Sequence, residues 1–271
     1  MTDTTVVITC FNYADYLEEA VESALAQAPE PHVIVVDDGS TNPGTNEVLA
    51  RLPDRVEVIR QENRGVSSAR NEGLARATTP FLFVLDADDR LPPGALATLR
   101  AELDRSDPTV GFAYGLTRFF GDWEGVLRFP PYDPYRLLYR HIIGLSALMR
   151  REVVESTGGF DPSFDQYADW EFWLNALAHG WRGVQVQAVT LDYRRHGSAM
   201  SVENRRKYRD DFARIRRKHS ELYENRATLA RESDLGPVGR AVYRGFWGPR
   251  PIPAALEQKL YALHWRPSNR E

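Results

Sequence analysis

The run Asp86-Ala87-Asp88-Asp89 sets two carboxylates two residues apart and follows them with a third. Hard oxygen donors at this spacing suit Mg²⁺ or Mn²⁺, which take one or two carboxylates and complete their shell with phosphate and water. Asp37-Asp38-Gly39-Ser40 is a second acidic group, and Thr9-Cys10-Phe11-Asn12-Tyr13 is a further polar run. Bare carboxylates repel a phosphate, so an anionic ligand beside them needs a cation between. A divalent ion there would hold a diphosphate and offset the charge of one that departs. The competing phosphate devices are missing from the sequence: there is no G-x-x-x-x-G-K-[ST] loop and no G-x-G-x-x-G early in the chain. Each cluster alone has a plainer reading. Asp86, Asp88 and Asp89 could be a solvated turn with Asp89 capping the next helix, and Asp37 to Ser40 a tight turn with Gly39 at positive φ. Their coincidence points to a site.

In the second half, Asp169 opens an amphipathic stretch, Asp169 to His179, with Trp170, Trp173, Leu174 and Leu177 on one face. A carboxylate in a first helical turn is favoured in its ionised form by the helix dipole, and an ionised carboxylate can take the proton of a hydroxyl. The plainer reading is that Asp169 only starts the helix; Glu171 is the alternative base. Tyr167, Trp170 and Trp181 could stack on a sugar ring, whereas Trp173 reads as core. Arg205 to Arg209 and Arg214 to His219 are basic but interleaved with Glu203, Asp210, Asp211 and Glu221. That pattern reads as a solvated helix face; contact of residues 203–219 with an anionic membrane or a lipid phosphate is the sharper alternative.

Positioning these residues requires an alternation of strand and helix. Val6-Val7-Ile8-Thr9, Val33 to Val36, Val56 to Ile59 and Phe81 to Leu85 read as strands, the last fully apolar and therefore central. Helical spacing falls on Tyr13 to Ala28, Asn46 to Leu52, Val66 to Ala77 and Pro93 to Leu103, with Pro93 placed for a first turn. This order predicts a mostly parallel sheet flanked by helices, with the polar clusters at the carboxyl ends of its strands, where open sheets bind ligands. Farther on, Gly111 to Phe120 and Leu145 to Met149 read as strands and Gly183 to Tyr193 as extended. Glu203 to Glu232 reads as a long charged helix, and the chain from Leu235, with Phe246-Trp247-Gly248-Pro249-Arg250-Pro251, as an arm or tail. The expected organisation is an α/β domain over 1–200, made of the regular half 1–105 and the less regular half 106–200, and a helical extension over 201–271.

Among 271 residues, 42% are hydrophobic and 27% charged, as in globular proteins, and the net charge of −4 argues against a nucleic-acid partner. The single cysteine, Cys10, fits a reducing compartment. The N-terminus lacks a signal-peptide pattern, and no apolar run approaches the roughly 20 residues of a membrane span. The expected location is the cytoplasm, with the inner face of the membrane left open. Lysine occurs only at Lys207, Lys218 and Lys259, and the preference for arginine suggests a GC-rich bacterial genome.

The order Thr9-Cys10-Phe11-Asn12, Val35-Val36-Asp37-Asp38-Gly39-Ser40-Thr41, Asn63-Arg64-Gly65 with Ser68-Ala69-Arg70-Asn71, then Leu85-Asp86-Ala87-Asp88-Asp89 resembles the inverting family 2 glycosyltransferases, which have the GT-A fold. The likeness continues through Gly158-Gly159-Phe160-Asp161, Asp169-Trp170-Glu171 and Tyr193-Arg194-Arg195-His196, covering roughly residues 4–200. It implies a nucleoside-diphosphate sugar donor, an acceptor hydroxyl on a sugar, a lipid-linked or a small molecule, and Mn²⁺ or Mg²⁺. Asp38, or Asp37 beside it, is implied to bind the base or ribose, with Arg70 near the base and Thr9 near the nucleoside. Asp86 is implied near ribose and metal, and Asp88 as metal ligand. His196 is implied to reach the metal or diphosphate, and a neutral imidazole is a suitable Mn²⁺ ligand. The resemblance also implies Asp169 as general base. The family often carries Glu-Asp at that place, and this chain has Ala168-Asp169. The expected activity is an inverting transfer of a hexosyl or related sugar by single displacement. The rival readings are a sugar-phosphate nucleotidyltransferase, against which Asn12-Tyr13-Ala14-Asp15 stands where a Gly-rich basic loop is usual, and a non-catalytic nucleotide-sugar binding module.

Overall fold

The computed structural model describes residues 2–164, 166–196 and 204–249, the side chains of 204–207 excepted. Glu203, the side chains of Arg205 to Lys207, and the sequence from Arg250 onward lie outside the described residues. The chain divides into two compact units, one from Met1–Tyr132 with His141–Arg195, the other from Asp133–Arg140 with the chain from His196 on.

In the first unit, β1 (Thr4–Cys10), β2 (His32–Asp37), β3 (Val56–Arg60) and β4 (Phe81–Asp86) are parallel neighbours in the order β3-β2-β1-β4. Strands β1 and β4 are buried almost throughout, and the inner positions of β2 are fully buried, as their unbroken β-branched and apolar runs require. The helices α1 (Ala14–Leu25), α2 (Pro43–Arg51), α3 (Val66–Arg76) and α4 (Ala95–Arg105) alternate with these strands. The helix expected from Pro93 starts two residues later. Gly94 is its N-cap in the left-handed region, with φ of 74°, so Pro93 precedes the helix.

Beyond α4 the sheet becomes mixed. β5 (Val110–Gly121) forms a hairpin with the short β6 (Gly125–Leu127), and β7 (Leu148–Arg150) inserts antiparallel between β4 and β5. β8 (Arg182–Arg195) runs parallel to β5, with register shifts along β5 that break the simple alternation of its side chains. The helices α6 (Arg151–Thr157) and α7 (Ala168–Ala178) complete this part. Trp170, Trp173, Leu174 and Leu177 of α7 are all buried, as the helical spacing required.

The second unit holds α5 (Pro134–Tyr139), α8 (Asn204–Lys218), α9 (Ser220–Glu224), α10 (Arg226–Glu232), α11 (Pro237–Val242) and a π-helical turn, Tyr243–Trp247. The long helix expected over 203–232 is three helices, and within the stretch read as an arm or tail residues 237–247 form helical turns. On α8, Tyr208, Asp211, Phe212 and Ile215 are buried while Arg209 and Arg216 to Lys218 are exposed, the two faces of an amphipathic helix.

Candidate active site

Strand order reverses direction at β1, which has β2 on one side and β4 on the other, so a crevice opens at the carboxyl ends of β1 and β4. Thr9 and Asp86 are register partners across this point, and the Thr9 hydroxyl donates to Asp86 Oδ1 over 3.5 Å. The same oxygen accepts from Arg70 Nη2 at 2.9 Å. Arg70 is only 8% exposed, so it is a buried arginine and not a helix-surface one. Its guanidinium carbon stands 5.4 Å from the Phe160 ring centroid, and its Nε is buried with no hydrogen-bond partner among the described residues.

Helix α3 delivers Arg70 by close approach to the sheet. A Cβ at Gly73 would lie 2.3 Å from Val7 Cγ1 and 3.0 Å from Val36 Cγ2, so only glycine lets the helix sit at this depth. Asn71 clamps the other side of the helix: its Oδ1 accepts from Phe160 N at 2.8 Å and its Nδ2 donates to Phe160 O at 2.7 Å. The Asn71 bonds place Phe160 beneath Arg70.

The loops after β1, β2 and β3 are tied together. Asn12 adopts φ of 61°, its N–H donates to Ser40 Oγ at 2.9 Å, and its Oδ1 accepts from Thr41 N and Asn42 N, both at 2.9 Å. Asp37 and Asp38 are both buried. Asp37 Oδ1 accepts from Ser40 N at 3.0 Å. Asp38 Oδ1 accepts from Gln61 Nε2 at 2.6 Å and Arg64 N at 2.9 Å, and its Oδ2 accepts from Gly65 N at 2.9 Å. Asp38 therefore anchors the 61–65 loop, with one acceptor direction left of the roughly four a carboxylate has. Gly39 has φ of 75°, and a Cβ there would lie 2.7 Å from Asn63 N, so the tight-turn reading of this run holds beside any ligand role.

Asp86, Asp88 and Asp89 crowd negative charge at the rim. Burial first, and then the charges of Asp88 and Asp86, push the Asp89 carboxyl well above its ordinary value. Burial and the same carboxylates push the Tyr13 phenol up to about 12. Asp89 does not cap α4; its Oδ1 accepts from Arg194 N at 2.9 Å, while Arg194 Nε donates to Asp88 O at 2.9 Å and Arg194 also pairs with Glu19. One residue pair farther along, Asp192 is held by Arg90 and Arg118 at 2.7–3.0 Å. The end of β8 is thus fastened to the turn that carries Asp88. Among the described residues no group of three or more His, Cys, Asp or Glu gathers as a complete metal cage. A Mg²⁺ or Mn²⁺ held by one or two carboxylates and completed by a substrate's phosphates needs no such cage, and hard oxygen donors crowded at one turn fit it. His196 follows β8 directly and opens the second unit's share of the chain.

Later in the first unit, Asp169 lies in the first turn of α7, with 21% of its side chain exposed. Its Oδ1 accepts from Trp170 N at 2.8 Å, and its Oδ2 is 3.0 Å from His141 Nε2. Burial pushes the Asp169 carboxyl up. The charge and contact of His141, then Arg70 and the Trp170 N–H, outweigh it, so the group titrates below its ordinary value. Arg70 thereby links the two halves: it binds Asp86 and its charge acts on Asp169. Glu171 is completely buried, which removes it as a base open to an acceptor. Trp170 is equally buried, so it is core and not a sugar platform. Trp181 precedes β8, its indole against Gly111 near the start of β5, at the strand ends opposite the rim. Tyr167 remains half-buried, at φ of 57°, edge-on to Trp170 and His141. His141 is the functional residue that sequence patterns missed: it stands in Arg140-His141-Ile142, with no motif around it and its partner on another element.

Comparison with known proteins gives a consistent result. The profile of glycosyl transferase family 2 matches residues 5–158. The succinoglycan biosynthesis protein ExoU of Rhizobium meliloti is 28% identical over 94% of this chain and 86% of its own length. Among solved structures, Staphylococcus aureus TarS 1-349 in complex with UDP-GlcNAc superposes with a TM-score of 0.64 at 18% identity, covering 90% of this chain and 70% of that one. The mannosyltransferase PcManGT of Pyrobaculum calidifontis, in complex with GDP-Man and Mn²⁺, gives 0.60 at 21% identity over 97% and 81%.

Proposed function

The chain belongs to glycosyl transferase family 2 and is a glycosyltransferase of the GT-A fold, and on that premise we propose an inverting transfer with Asp169 as general base. The donor is a nucleoside-diphosphate sugar. The observation that carries this reading is the single buried Arg70, bonded to Asp86 on the donor side and acting electrostatically on Asp169 on the acceptor side. Ionisable groups with displaced pKa values in one cleft are where acid–base chemistry is expected.

In the proposed reaction, Asp169 accepts the proton of the acceptor hydroxyl while that oxygen attacks the anomeric carbon. The bond from that carbon to the diphosphate breaks, and the nucleoside diphosphate leaves with the electron pair. One displacement inverts the anomeric centre. His141 holds the Asp169 carboxylate and keeps it ionised. Thr9 and Asp37 face the nucleoside, Asp38 fixes the 61–65 loop around it, and the partnerless Nε of Arg70 is a donor for the nucleotide. Asp88, with Asp86 beside it, would hold Mn²⁺ or Mg²⁺, whose charge offsets that of the departing diphosphate. The ligands of the two structural relatives, UDP-GlcNAc and GDP-Man with Mn²⁺, support a nucleotide-sugar donor and a divalent ion. The name of ExoU supports a saccharide acceptor. No helix among the described residues is long and apolar enough to cross a membrane. The exposed basic residues of α8 suit peripheral contact with an anionic surface.

The test is donor turnover by the purified chain against a panel of UDP-, GDP-, dTDP- and CDP-sugars, with Mn²⁺ and with EDTA. Acceptor-dependent, metal-dependent release of nucleoside diphosphate is the expected result. Release of pyrophosphate, or tight binding with no turnover in the presence of any saccharide acceptor, would overturn it.

A further inference from the structure

The second unit contains a cavity of about 320 Å³ with an aromatic floor and a cationic rim. Tyr139, Phe212 and Tyr223 form the floor and are 4%, 7% and 6% exposed. Arg216, Arg226 and Arg244 stand around it, all exposed, and among the described residues no carboxylate lines the cavity. Elsewhere in the same unit, Arg136 and Arg214 pair with Asp234 and Asp211. The crevice arginines make no ion pair among the described contacts, and two of them are held in place. Arg216 stacks 5.2 Å from the Tyr223 centroid and 5.8 Å from that of Phe212, and Arg226 Nη1 donates to Tyr223 O at 2.7 Å. A neighbouring groove of about 440 Å³ shares Arg216, Tyr223 and Arg226 and adds Arg217, with Glu224 as its one carboxylate.

Three guanidinium groups with no counter-ion among the described residues repel one another, and an anion that bridges them relieves that cost. Planar guanidinium forks match phosphoryl oxygens in two-point contact, which a single carboxylate among three cations cannot satisfy. The floor adds a second demand. The Tyr223 hydroxyl already donates to Leu138 O at 2.5 Å, so the ring offers an apolar face, and Phe212 offers only an apolar face. The field of the rim is felt below. Burial and Tyr135 push the Tyr139 phenol up to about 12, with Arg226 and Arg216 acting in the opposite direction.

We propose that this crevice is a binding site for the diphosphate group of a phosphorylated ligand whose remaining part is apolar. The inference uses only residues of the second unit and does not rest on the transfer mechanism proposed above. The same phosphoryl chemistry is offered by an amphiphile with a diphosphate head and by free diphosphate, and the test separates these sources.

Full-length protein is titrated calorimetrically with farnesyl diphosphate, inorganic pyrophosphate and farnesol, at low and at physiological salt. The same titrations are made on the triple variant Arg216→Gln/Arg226→Gln/Arg244→Gln and on each single variant. All three arginines are exposed, so the variants should fold, and circular dichroism checks this. Farnesyl diphosphate is expected to bind the parent, at least tenfold more weakly to the triple variant, and more weakly at higher salt. Binding of farnesyl diphosphate but not pyrophosphate assigns an amphiphile. Equal binding of both, lost together in the variant, would show that the aromatic floor adds nothing, assign free diphosphate, and overturn the apolar part of the proposal. Binding of neither probe at millimolar concentration overturns the site, as does binding that the folded triple variant retains in full, including the case where pyrophosphate occupies only the first unit. If Arg216→Lys, Arg226→Lys and Arg244→Lys together bind as the parent does, charge alone suffices and the two-point geometry is wrong. An equal affinity for farnesol would show that the crevice reads only the apolar part, and would also overturn the proposal.

Discussion

Asp169 and His141 offer a test in which the size of the combined effect matters more than either loss alone. Asp169→Asn keeps an oxygen for the Trp170 N–H, now 2.8 Å from Oδ1, and keeps the volume, but it cannot take a proton near neutral pH. General-base catalysis is worth about 10²–10⁴-fold, so transfer should fall by that factor with donor KM unchanged. His141→Gln removes a contact of 3.0 Å between side chains that are 24% and 21% exposed. An ion-pair contact between partly exposed groups contributes about 1 kcal/mol, or about fivefold in rate. If His141 acts only by holding Asp169, the double variant should be no slower than Asp169→Asn, because groups that work as a unit are not additive. The pH profile supplies an independent sign. Without His141 the raising effect of burial on Asp169 is less opposed, so the acid limb of kcat/KM should move to higher pH. The assay is acceptor-dependent release of nucleoside diphosphate at saturating donor, with nuclear magnetic resonance of the product to read the anomeric configuration. A rate for Asp169→Asn within threefold of the parent would refute the base. Full additivity in the double variant would refute the coupling to His141 while leaving the base intact.

Asp88→Ala should abolish metal-dependent donor binding while the melting temperature without ligand stays near the parent's; full activity of the parent in EDTA would remove the metal from the reading. Asp38→Ala leaves the N–H groups of Arg64 and Gly65 without their acceptor, so donor affinity and stability should both fall, the latter by about 1–3 kcal/mol in urea unfolding. An unchanged stability with weaker nucleotide binding would assign Asp38 to the ligand alone. Gly73→Ala tests the depth of α3. Glycine to alanine inside a helix ordinarily stabilises by roughly 0.5–1 kcal/mol, but here the new methyl meets Val7 at 2.3 Å, so a net loss of about 1–3 kcal/mol is expected. Acid unfolding provides the last check. The lowered carboxyl of Asp169 contributes stability that is complete above the unfolded value of 3.8 and is lost as pH falls through its lower folded value. The stability difference between parent and Asp169→Asn should therefore shrink as pH falls below about 4; a difference that grows over that interval would contradict the sign.

The first hundred residues were largely legible because their signals are local. Val33 to Val36 and Phe81 to Leu85 are short apolar runs that can be little other than buried strands, and the acidic runs follow those strands directly. Boundaries were less legible. Pro93 satisfies the preference for a first turn, yet Gly94 in the left-handed region sets the start of α4. The second half was harder for a physical reason: β7 is three residues long, and β8 meets β5 through register shifts, so neither carries a clean period. The family resemblance named candidate residues, but the contacts that decide their roles are long-range. Nothing local says that Arg70 will bury itself against Asp86, that Asp38 will anchor residues 61–65, or that Arg194 will claim Asp89. His141 had no pattern at all, since its meaning comes only from the distance to Asp169.

The double duty of α3 has a practical consequence for recombining such enzymes. Its inner side is seated on Val7 and Val36 through Gly73, while Asn71 and Ser67 bond to Phe160 and Phe164 of the other half. A chimera that exchanges acceptor halves at a crossover just after α4 would keep one parent's α3 and import the other parent's 158–164 loop. The mismatch would fall on Asn71, one residue from Arg70, and would shift the arginine that binds Asp86. Crossovers that carry Val66 through Phe164 as one inherited block avoid this, and the donor strands β1 and β2 can be exchanged only with partners small enough to admit the same helix.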